Sequence, residues 1–355
     1  MERKFRKIGI LTSGGDAPGM SAAIKSVTCS AISRGVEVVG ILGGYSGLIN
    51  NRLRPLTKND VAGIISLGGT YLYSDRCEEF KTEEGMAKAI ETCRKNDIDG
   101  IIAIGGDGTF RGATDLSVRG VPCIGLPGTI DNDITATDYT IGFDTAMNTV
   151  LELCDRLRDT SESHARCTVI EVMGRNAGYI AIETGIALNA IGIALQEVPF
   201  DKEALFERMI AMREQGRRSF IVIVAEGLGT EYAEALTKEI EERTGIEARF
   251  NRPAHIVRGG IPTLRDRTTA SVMGDKAVDL LLAGKSDVVI CLRNNRVIDT
   301  DIKYALTVDR MYKNKLKDGD LDSFSAEEIE SMKALCEERK AYFIDMCDIA
   351  NTIGC

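Results

Sequence analysis

The sequence is poor in histidine and proline, and it has no paired-cysteine motif. Only two histidines, His164 and His255, occur in 355 residues. Imidazoles so far apart argue against a zinc centre. The ten cysteines are scattered and none forms a CxxC pair, which argues against a zinc ribbon or a dithiol redox site. Several lie in apolar runs, as in Val121-Pro-Cys-Ile-Gly and Val289-Ile-Cys-Leu. They read as small buried hydrophobes in a reducing compartment. Basic residues are not in excess: 44 Lys and Arg face 53 Asp and Glu, for a formal net charge of −9. That balance argues against a nucleic-acid partner, yet a few arginines in a cleft can still hold a small anion. No spanning run and no signal peptide is visible, so no membrane partner is expected and the protein is expected to be cytoplasmic. Proline numbers 7 and glycine 36, without a G-X-Y period. The glycines therefore belong to turns and to close backbone approaches.

Hydrophobic residues make up 44% of the chain, enough for two domains or one large α/β unit. Short runs rich in Ile and Val fall at 7–12, 36–42, 100–104, 122–126, 168–172, 191–196, 220–225 and 288–292. Most show little polar alternation, as buried parallel strands do. Amphipathic helical patterns lie between them, at 145–158, 202–215 and 233–243. This rhythm predicts a doubly wound α/β fold with mainly parallel sheets. A second set of βα units begins near Arg166, which places a domain change around residue 142. From Ser325 the apolar positions Ile329, Met332, Leu335, Tyr342, Met346 and Ile349 predict a packing helix.

Three glycine-rich turns follow predicted strands: Ser13-Gly-Gly-Asp, Gly105-Gly-Asp-Gly and Pro127-Gly-Thr. Open α/β sheets bind ligands at that edge. In the first, Gly14 and Gly15 let backbone approach an anion ahead of a helical pattern. It is neither a Walker A loop nor a GxGxxG fingerprint. In the second, the glycines around Asp107 bring a carboxylate and amides to a polyphosphate, so Asp107 is the candidate Mg²⁺ ligand. In the third, Asp131 and Asp133 are two apart and share a side if the chain is extended. Paired carboxylates at a strand end suit proton acceptance. Further along stand Met173-Gly-Arg175, Glu226, and His255-Ile-Val-Arg-Gly-Gly260. Arg166, Arg175, Arg249 and Arg258 are candidate phosphate forks. A straight strand would point His255 and Arg258 to opposite faces.

Taken together, Thr12-Ser-Gly-Gly-Asp-Ala-Pro-Gly-Met, Gly105-Gly-Asp-Gly-Thr, Pro127-Gly-Thr-Ile-Asp-Asn-Asp, Asp138-Tyr-Thr-Ile-Gly-Phe-Asp-Thr-Ala, Glu171-Val-Met-Gly-Arg and His255-Ile-Val-Arg-Gly-Gly resemble the phosphofructokinase family, in order and spacing. The likeness is to its bacterial-type, ATP-dependent members and runs from about residue 5 to 310. It implies two similar doubly wound lobes: 1–142 with about 257–309 for the nucleotide, and 143–256 with about 310–355 for the sugar phosphate. It implies transfer of a phosphoryl group from Mg²⁺–ATP to the C1 hydroxyl of fructose 6-phosphate.

By the same resemblance Gly15, Arg76, Cys77, Gly106, Asp107, Gly108 and Thr109 line the nucleotide. Thr129, Asp131, Asp133 and Arg175 form the catalytic group, with Asp131 as base. Thr129, Ile130, Asp131, Arg166, Met173, Gly174, Arg175, Glu226, Arg249, His255 and Arg258 bind the sugar phosphate. A homotetramer is implied, with Arg166 and Arg249 reaching a neighbouring subunit's site.

Alternatives within this reading are a diphosphate-dependent enzyme, a non-catalytic regulatory subunit, and sedoheptulose 7-phosphate as acceptor. Diphosphate-dependent members place an acidic residue at position 108 and lysine at position 128; here both are glycine, and such small residues are expected to leave room for the α-phosphate and nucleoside, favouring ATP. The effector position of bacterial members is altered. Lys25, Lys58, Arg158 and Arg217 keep positive charge, but Cys29, Gln215 and Ile191 replace two cations and a carboxylate.

Overall fold

The structure, a computed structural model, describes residues 5–354. Residues 1–4 of the N-terminal run and Cys355 lie outside that range. In chain order the strands are β1 (Lys7–Ser13), β2 (Glu37–Ile41), β3 (Leu53–Leu56), β4 (Gly100–Gly105), β5 (Cys123–Pro127) and β6 (Cys167–Val172). They continue with β7 (Gly192–Ala194), β8 (Phe220–Ala225), β9 (Ala248–Asn251), β10 (Val288–Arg293) and β11 (Arg296–Asp301). The helices are α1 (Met20–Ser33), α2 (Gly44–Ile49), α3 (Glu83–Lys95), α4 (Asp107–Ser117), α5 (Phe143–His164) and α6 (Tyr179–Ala187). After them come α7 (Lys202–Glu214), α8 (Tyr232–Thr244), α9 (Leu264–Leu282), α10 (Ile302–Tyr312) and α11 (Ala326–Ile353).

The chain divides into two compact units. The first comprises Met1–Ile130, Ile134–Thr145 and Arg258–Cys336; the second comprises Asp131–Asp133, Ala146–Val257 and Glu337–Cys355. Residues 310–336, expected with the sugar lobe, thus belong to the first unit. The reason is packing: Met332 and Cys336 join the core that holds Leu11, Ile101 and Phe110, and Leu321 and Phe324 lie against it.

Among the described residues the first unit carries a seven-stranded sheet in the order β11-β10-β5-β4-β1-β2-β3. β1 pairs in parallel with both β2 and β4, and β4 with β5. The order reverses between β1 and β4. β1 leads to β2 on one side, and β4 leads to β5 on the other, which makes a topological switch point. β4 reads Gly-Ile-Ile-Ala-Ile-Gly and is buried throughout, as a strand covered on both faces must be. The second unit carries a parallel sheet in the order β7-β8-β6-β9. Its core gathers Val169, Val222, Phe220, Leu205 and Leu236. Side chains that accept from a first-turn amide begin several helices: Thr82 for α3, Asp201 for α7, Thr263 for α9 and Asp301 for α10.

The strands that sequence reasoning passed over, β3, β9 and β11, are edge strands. β3 and β11 are antiparallel additions, and Pro55 in β3 is tolerated because an edge needs only one ladder. The β10–β11 turn is Asn294-Asn295, both at positive φ (50° and 59°), the conformation of a two-residue hairpin turn.

Candidate active site

The first two glycine turns sit at the carboxyl ends of β1 and β4, at the switch point. Gly14 has φ 86°, which a β-carbon would strain. A third segment joins them. Ser74 Oγ donates to the Gly14 carbonyl at 2.6 Å, and the Gly14 amide donates to the Asp75 carbonyl at 3.4 Å. The Asp75 carboxylate accepts from the Arg76 amide at 2.8 Å, which sets Arg76 and then Cys77 beside the β1 turn. From the other side Thr109 Oγ1 donates to the Ser13 carbonyl at 3.0 Å, and Tyr45 Oη donates to the Thr109 carbonyl at 2.6 Å. Gly105 must be glycine, because a β-carbon would stand 2.3 Å from Thr109 Oγ1 and 2.4 Å from the Ser13 carbonyl. Gly15, Arg76, Cys77 and residues 106–109 are therefore neighbours within one unit. The Ser74–Asp75 brace carried no sequence signal, since its contacts run through backbone carbonyls.

α4 opens directly after Gly106, with no side chain capping its first amides. Such amides are ready donors to an anion. α1 starts only at Met20, five residues beyond Gly15, so its terminus is not adjacent to the glycines as the sequence pattern had suggested. Asp107, the first residue of α4, pairs with Arg111 one turn on. Among the described residues no group of three or more His, Cys, Asp or Glu could hold a metal by itself. That donor set fits Mg²⁺, which keeps water and phosphate oxygens around one or two carboxylates.

The two informative glycines differ. A β-carbon on Gly108 would meet nothing within 4 Å. On Gly128 it would stand 3.1 Å from both Met20 Cε and Ile104 Cγ2. The expectation that both leave room for a nucleotide is corrected for Gly128, whose missing side chain makes room for core packing.

The third turn continues β5. The Gly128 amide reaches the Gly105 carbonyl at 3.0 Å, and Thr140 Oγ1 donates to the Thr129 carbonyl at 2.7 Å. Asn132 then adopts φ 49°. The stretch is a turn, so the expected extended alternation of Asp131 and Asp133 does not hold. Asp131 is 5% exposed and Asp133 half-buried. Thr129 and Ile130 belong to the first unit and Asp131–Asp133 to the second.

Arg258, expected on the sugar phosphate, lies over the β1 turn. A β-carbon on Gly15 would be 2.8 Å from its guanidinium, which also donates to the Asp16 carbonyl at 3.3 Å. Residues Ala254–Arg258 form a 3₁₀ turn rather than a strand. The opposite faces expected of a straight strand therefore do not apply to His255 and Arg258.

In the second unit Met173, Gly174 and Arg175 follow β6, and Glu226 follows β8. Glu226 accepts from the amides of Gly174 (3.1 Å) and Arg175 (2.5 Å), and Arg175 has φ 58°. Those four residues form one cluster. Arg166 and Arg249 are elsewhere, at the amino end of the same sheet, where Thr168 pairs with Arg249 in register. Both grip Glu247, Arg166 at 2.8 Å. Hydrogen bonding from Arg166, with the charge of Arg249 beside it, holds the Glu247 carboxyl below the usual carboxylate range.

Two clamps escaped sequence reasoning. Asp266, fully buried, accepts from the Gly142 amide (2.6 Å), the Thr145 amide (2.9 Å), Thr145 Oγ1 and Tyr139 Oη. It pins the segment that returns from the 129–133 turn into α5. Glu171, 6% exposed, takes a two-point grip from Arg252 at 2.6 and 3.0 Å. Among the described residues nine cysteines are in no disulfide, and burial pushes Cys93, Cys154 and Cys167 up to about 12.

Fold and turns define an α/β phosphate-handling enzyme with an acid at a strand end. The family pattern described as Phosphofructokinase matches residues 7–281. ATP-dependent 6-phosphofructokinase 1 of Clostridium perfringens is 49% identical over 312 residues, covering 88% of this chain and 97% of that protein. ATP-dependent 6-phosphofructokinase of Clostridium tetani matches to the same extent, 49% over 312 residues. Phosphofructokinase from Saccharomyces cerevisiae superposes with a TM-score of 0.82 at 30% identity, over 93% of this chain and 50% of that one. This chain spans about half the length of the yeast chain. The chain belongs to the phosphofructokinase family. No helix among the described residues is long and apolar enough to cross a membrane.

Proposed function

We propose that this chain is an ATP-dependent 6-phosphofructokinase whose base is Asp131. It phosphorylates fructose 6-phosphate at the C1 hydroxyl, with ATP as donor and Mg²⁺ as the accompanying metal. The observation that carries the site is the convergence of the 13–16, 74–77 and 105–109 segments on the β1–β4 switch point. The α4 terminus there has no side-chain cap, so its first amides offer donors of the kind a polyphosphate requires.

Phosphoryl transfer through a loose transition state needs alignment and charge neutralisation more than covalent help. Amides of the β1 turn and of the α4 terminus, with Arg76, supply donors for the phosphate oxygens. Bound Mg²⁺ adds positive charge at those oxygens, and Asp107 is the residue to hold it, directly or through water. Asp131 accepts the proton of the attacking hydroxyl, and Thr129 and Ile130 meet the same end of the sugar. Asp133 shapes the field of Asp131. Arg175, Met173, Gly174, Glu226, His255 and Arg258 receive the rest of the sugar phosphate.

Arg166 and Arg249 lie at the other end of the second unit's sheet from Arg175 and Glu226. This supports a homotetramer in which they complete another subunit's site. A cytoplasmic location and small-molecule substrates, with no nucleic-acid partner, are part of this reading. Gly108, open to space, favours ATP over diphosphate. Retention of Asp107, Asp131 and Asp133 favours an enzyme over a silent regulatory subunit. The test is steady-state phosphorylation of fructose 6-phosphate by pure protein, with ATP and with diphosphate in parallel. Turnover with diphosphate alone, or with neither, refutes the reading.

A further inference from the structure

The loop 173–178, which carries Met173, Gly174 and Arg175, leaves β6 and enters α6 within the second unit. Arg175 is exposed and sits at φ 58°, a conformation a non-glycine residue keeps only when its neighbours hold it there. Glu226 holds the start of the loop through the Gly174 and Arg175 amides. A second acid holds its end. Glu197 Oε1 accepts from the Gly178 amide at 2.8 Å, and Gly178 is the residue that precedes the first turn of α6. Between the two grips the loop closes on itself, where the Ala177 amide donates to the Gly174 carbonyl at 3.0 Å.

Glu197 reaches the loop from two strands away. β8 lies between β6 and β7, and all three are parallel, so their carboxyl ends stand side by side. β6 ends in the loop, β8 in Glu226-Gly227, and β7 runs through Leu195 to Gln196-Glu197. Gln196 ties the segments of the two acids together. Its Nε2 donates to Glu197 Oε1 at 3.2 Å. Its carboxamide lies against Gly227, where a β-carbon would stand 2.7 Å from Gln196 Cδ and 2.9 Å from the Arg175 carbonyl. Gly178 admits Glu197 as closely, since a β-carbon there would stand 2.7 Å from Oε2. That Oε2 is buried and has no hydrogen-bond partner among the described residues. Both donors to Oε1 are neutral, so Glu197 serves as an acceptor rather than as a charge. Burial agrees with this, pushing its carboxyl above the ordinary value.

We propose that Glu197 is a positioning residue for fructose 6-phosphate binding: by holding the Gly178 amide it fixes the far end of the 173–178 loop, and so the placement of Arg175. Gln196 is the strut that keeps Glu197 in register with Glu226. This deepens the function proposed above and rests on Arg175 and Glu226 receiving the sugar phosphate. Glu197 acts without touching substrate.

The test measures kcat and KM for both substrates in Glu197→Ala, Glu197→Gln, Arg175→Ala and the Glu197→Ala/Arg175→Ala double variant, each with a thermal melt. Glu197→Ala is expected to raise KM for fructose 6-phosphate about fivefold or more, within the range of coupling between neighbouring groups, with KM for ATP nearly unchanged. Glu197→Gln keeps the acceptor and is expected to recover most of the affinity. In the double variant the two losses are expected to fall short of multiplying, because both act through Arg175. A folded Glu197→Ala with wild-type KM for fructose 6-phosphate, a Glu197→Gln as impaired as Glu197→Ala, or losses that multiply fully, overturns the proposal. An equal rise in both KM values overturns it too, since general loosening of the fold would do that. Should Glu197→Ala fail to fold, Glu197→Asp, one methylene shorter and so drawn back from the Gly178 amide, is read by the same criteria. A raised KM for fructose 6-phosphate in Arg175→Ala beside an unaffected Glu197→Ala overturns the positioning role alone. An unchanged KM in Arg175→Ala overturns the sugar-phosphate reading of the loop and, with it, the role of Glu197.

Discussion

Mixing two inactive variants tests whether sites are shared between subunits. Arg166 precedes β6 and Met173 follows it. At the rise of a parallel strand, that separation is roughly 20 Å along the sheet. No side-chain motion closes such a gap, so a chain's own Arg166 cannot join its own Arg175 and Glu226. If it serves a neighbour's site, Asp131→Ala and Arg166→Ala damage different contributions to each site. Loss of Arg166 removes charge-assisted hydrogen bonds to a phosphate, worth roughly 1.5–3 kcal/mol, or about 10- to 150-fold in turnover at low substrate. Loss of Asp131 costs about 10²–10⁴ in kcat. Both homomers are then nearly silent. In a 1:1 refolded mixture with random pairing, about one site in four combines an intact Asp131 with an intact Arg166 from its neighbour. Activity is expected to recover to about a quarter of wild type. The variants differ by two charges per chain, so ion exchange separates hybrids from homomers. Purified hybrids no more active than the mean of the two homomers would refute the cross-subunit role.

Other outcomes are expected on the same physical grounds. Asp131→Ser lowers kcat roughly 10²–10⁴-fold with a smaller change in KM; a kcat within about twofold of wild type removes Asp131 as base. Gly108→Asp cripples ATP use, because its side chain enters open space and would set a carboxylate among phosphates. Unchanged ATP kinetics would sink that claim. Asp266→Ala strands the Tyr139 hydroxyl and buried amides, costing roughly 3 kcal/mol and, for a 355-residue chain, about 4 °C in Tm. A melt within about 1 °C of wild type would show the clamp to be dispensable. ADP and phosphoenolpyruvate have weak or no allosteric effect, because Ile191 is buried in the second core, and Arg158 and Arg217 already donate to the Leu188 and Ser219 carbonyls. A sigmoidal shift of fructose 6-phosphate saturation by phosphoenolpyruvate that vanishes in Arg158→Ala would count against this.

The interior of the fold was legible because buried parallel strands write themselves as apolar runs. Residues 220–225 are strand from end to end, and residues 100–105 nearly as predicted. The edge strands left no such mark. Ala248-Arg-Phe-Asn and Arg296-Val-Ile-Asp-Thr-Asp alternate with polar residues, since one side of each faces outward. β11 did carry a signal in Asn294-Asn295, whose readiness for positive φ marks a tight hairpin. The resemblance grouped residues 310–336 with the sugar lobe, but Met332 and Cys336 join the first unit's core; periodicity reports that a helix packs, not what it packs against.

The candidate site was legible where glycine and acid stand together, and opaque where a residue's place depends on which end of a strand it occupies. Spacing named Gly15, Asp107 and Asp131 because a carboxylate beside glycines at a strand end is unusual locally. Arginine carries no such address. Arg166, Arg249 and Arg258 looked equivalent in sequence, yet Arg258 lies on the Gly15–Asp16 backbone while the other two share Glu247 at a sheet's amino end. The carboxyl ends of β6 and β8 hold Arg175 and Glu226, so one sheet presents an arginine-bearing cluster at both ends. A single chain gains little from that arrangement. An assembly in which the amino end of one sheet faces the carboxyl end of another would use both. The two-ended sheet is thus the physical reason to expect activity to depend on assembly, and diluting the enzyme until it dissociates should abolish turnover before it unfolds the chain.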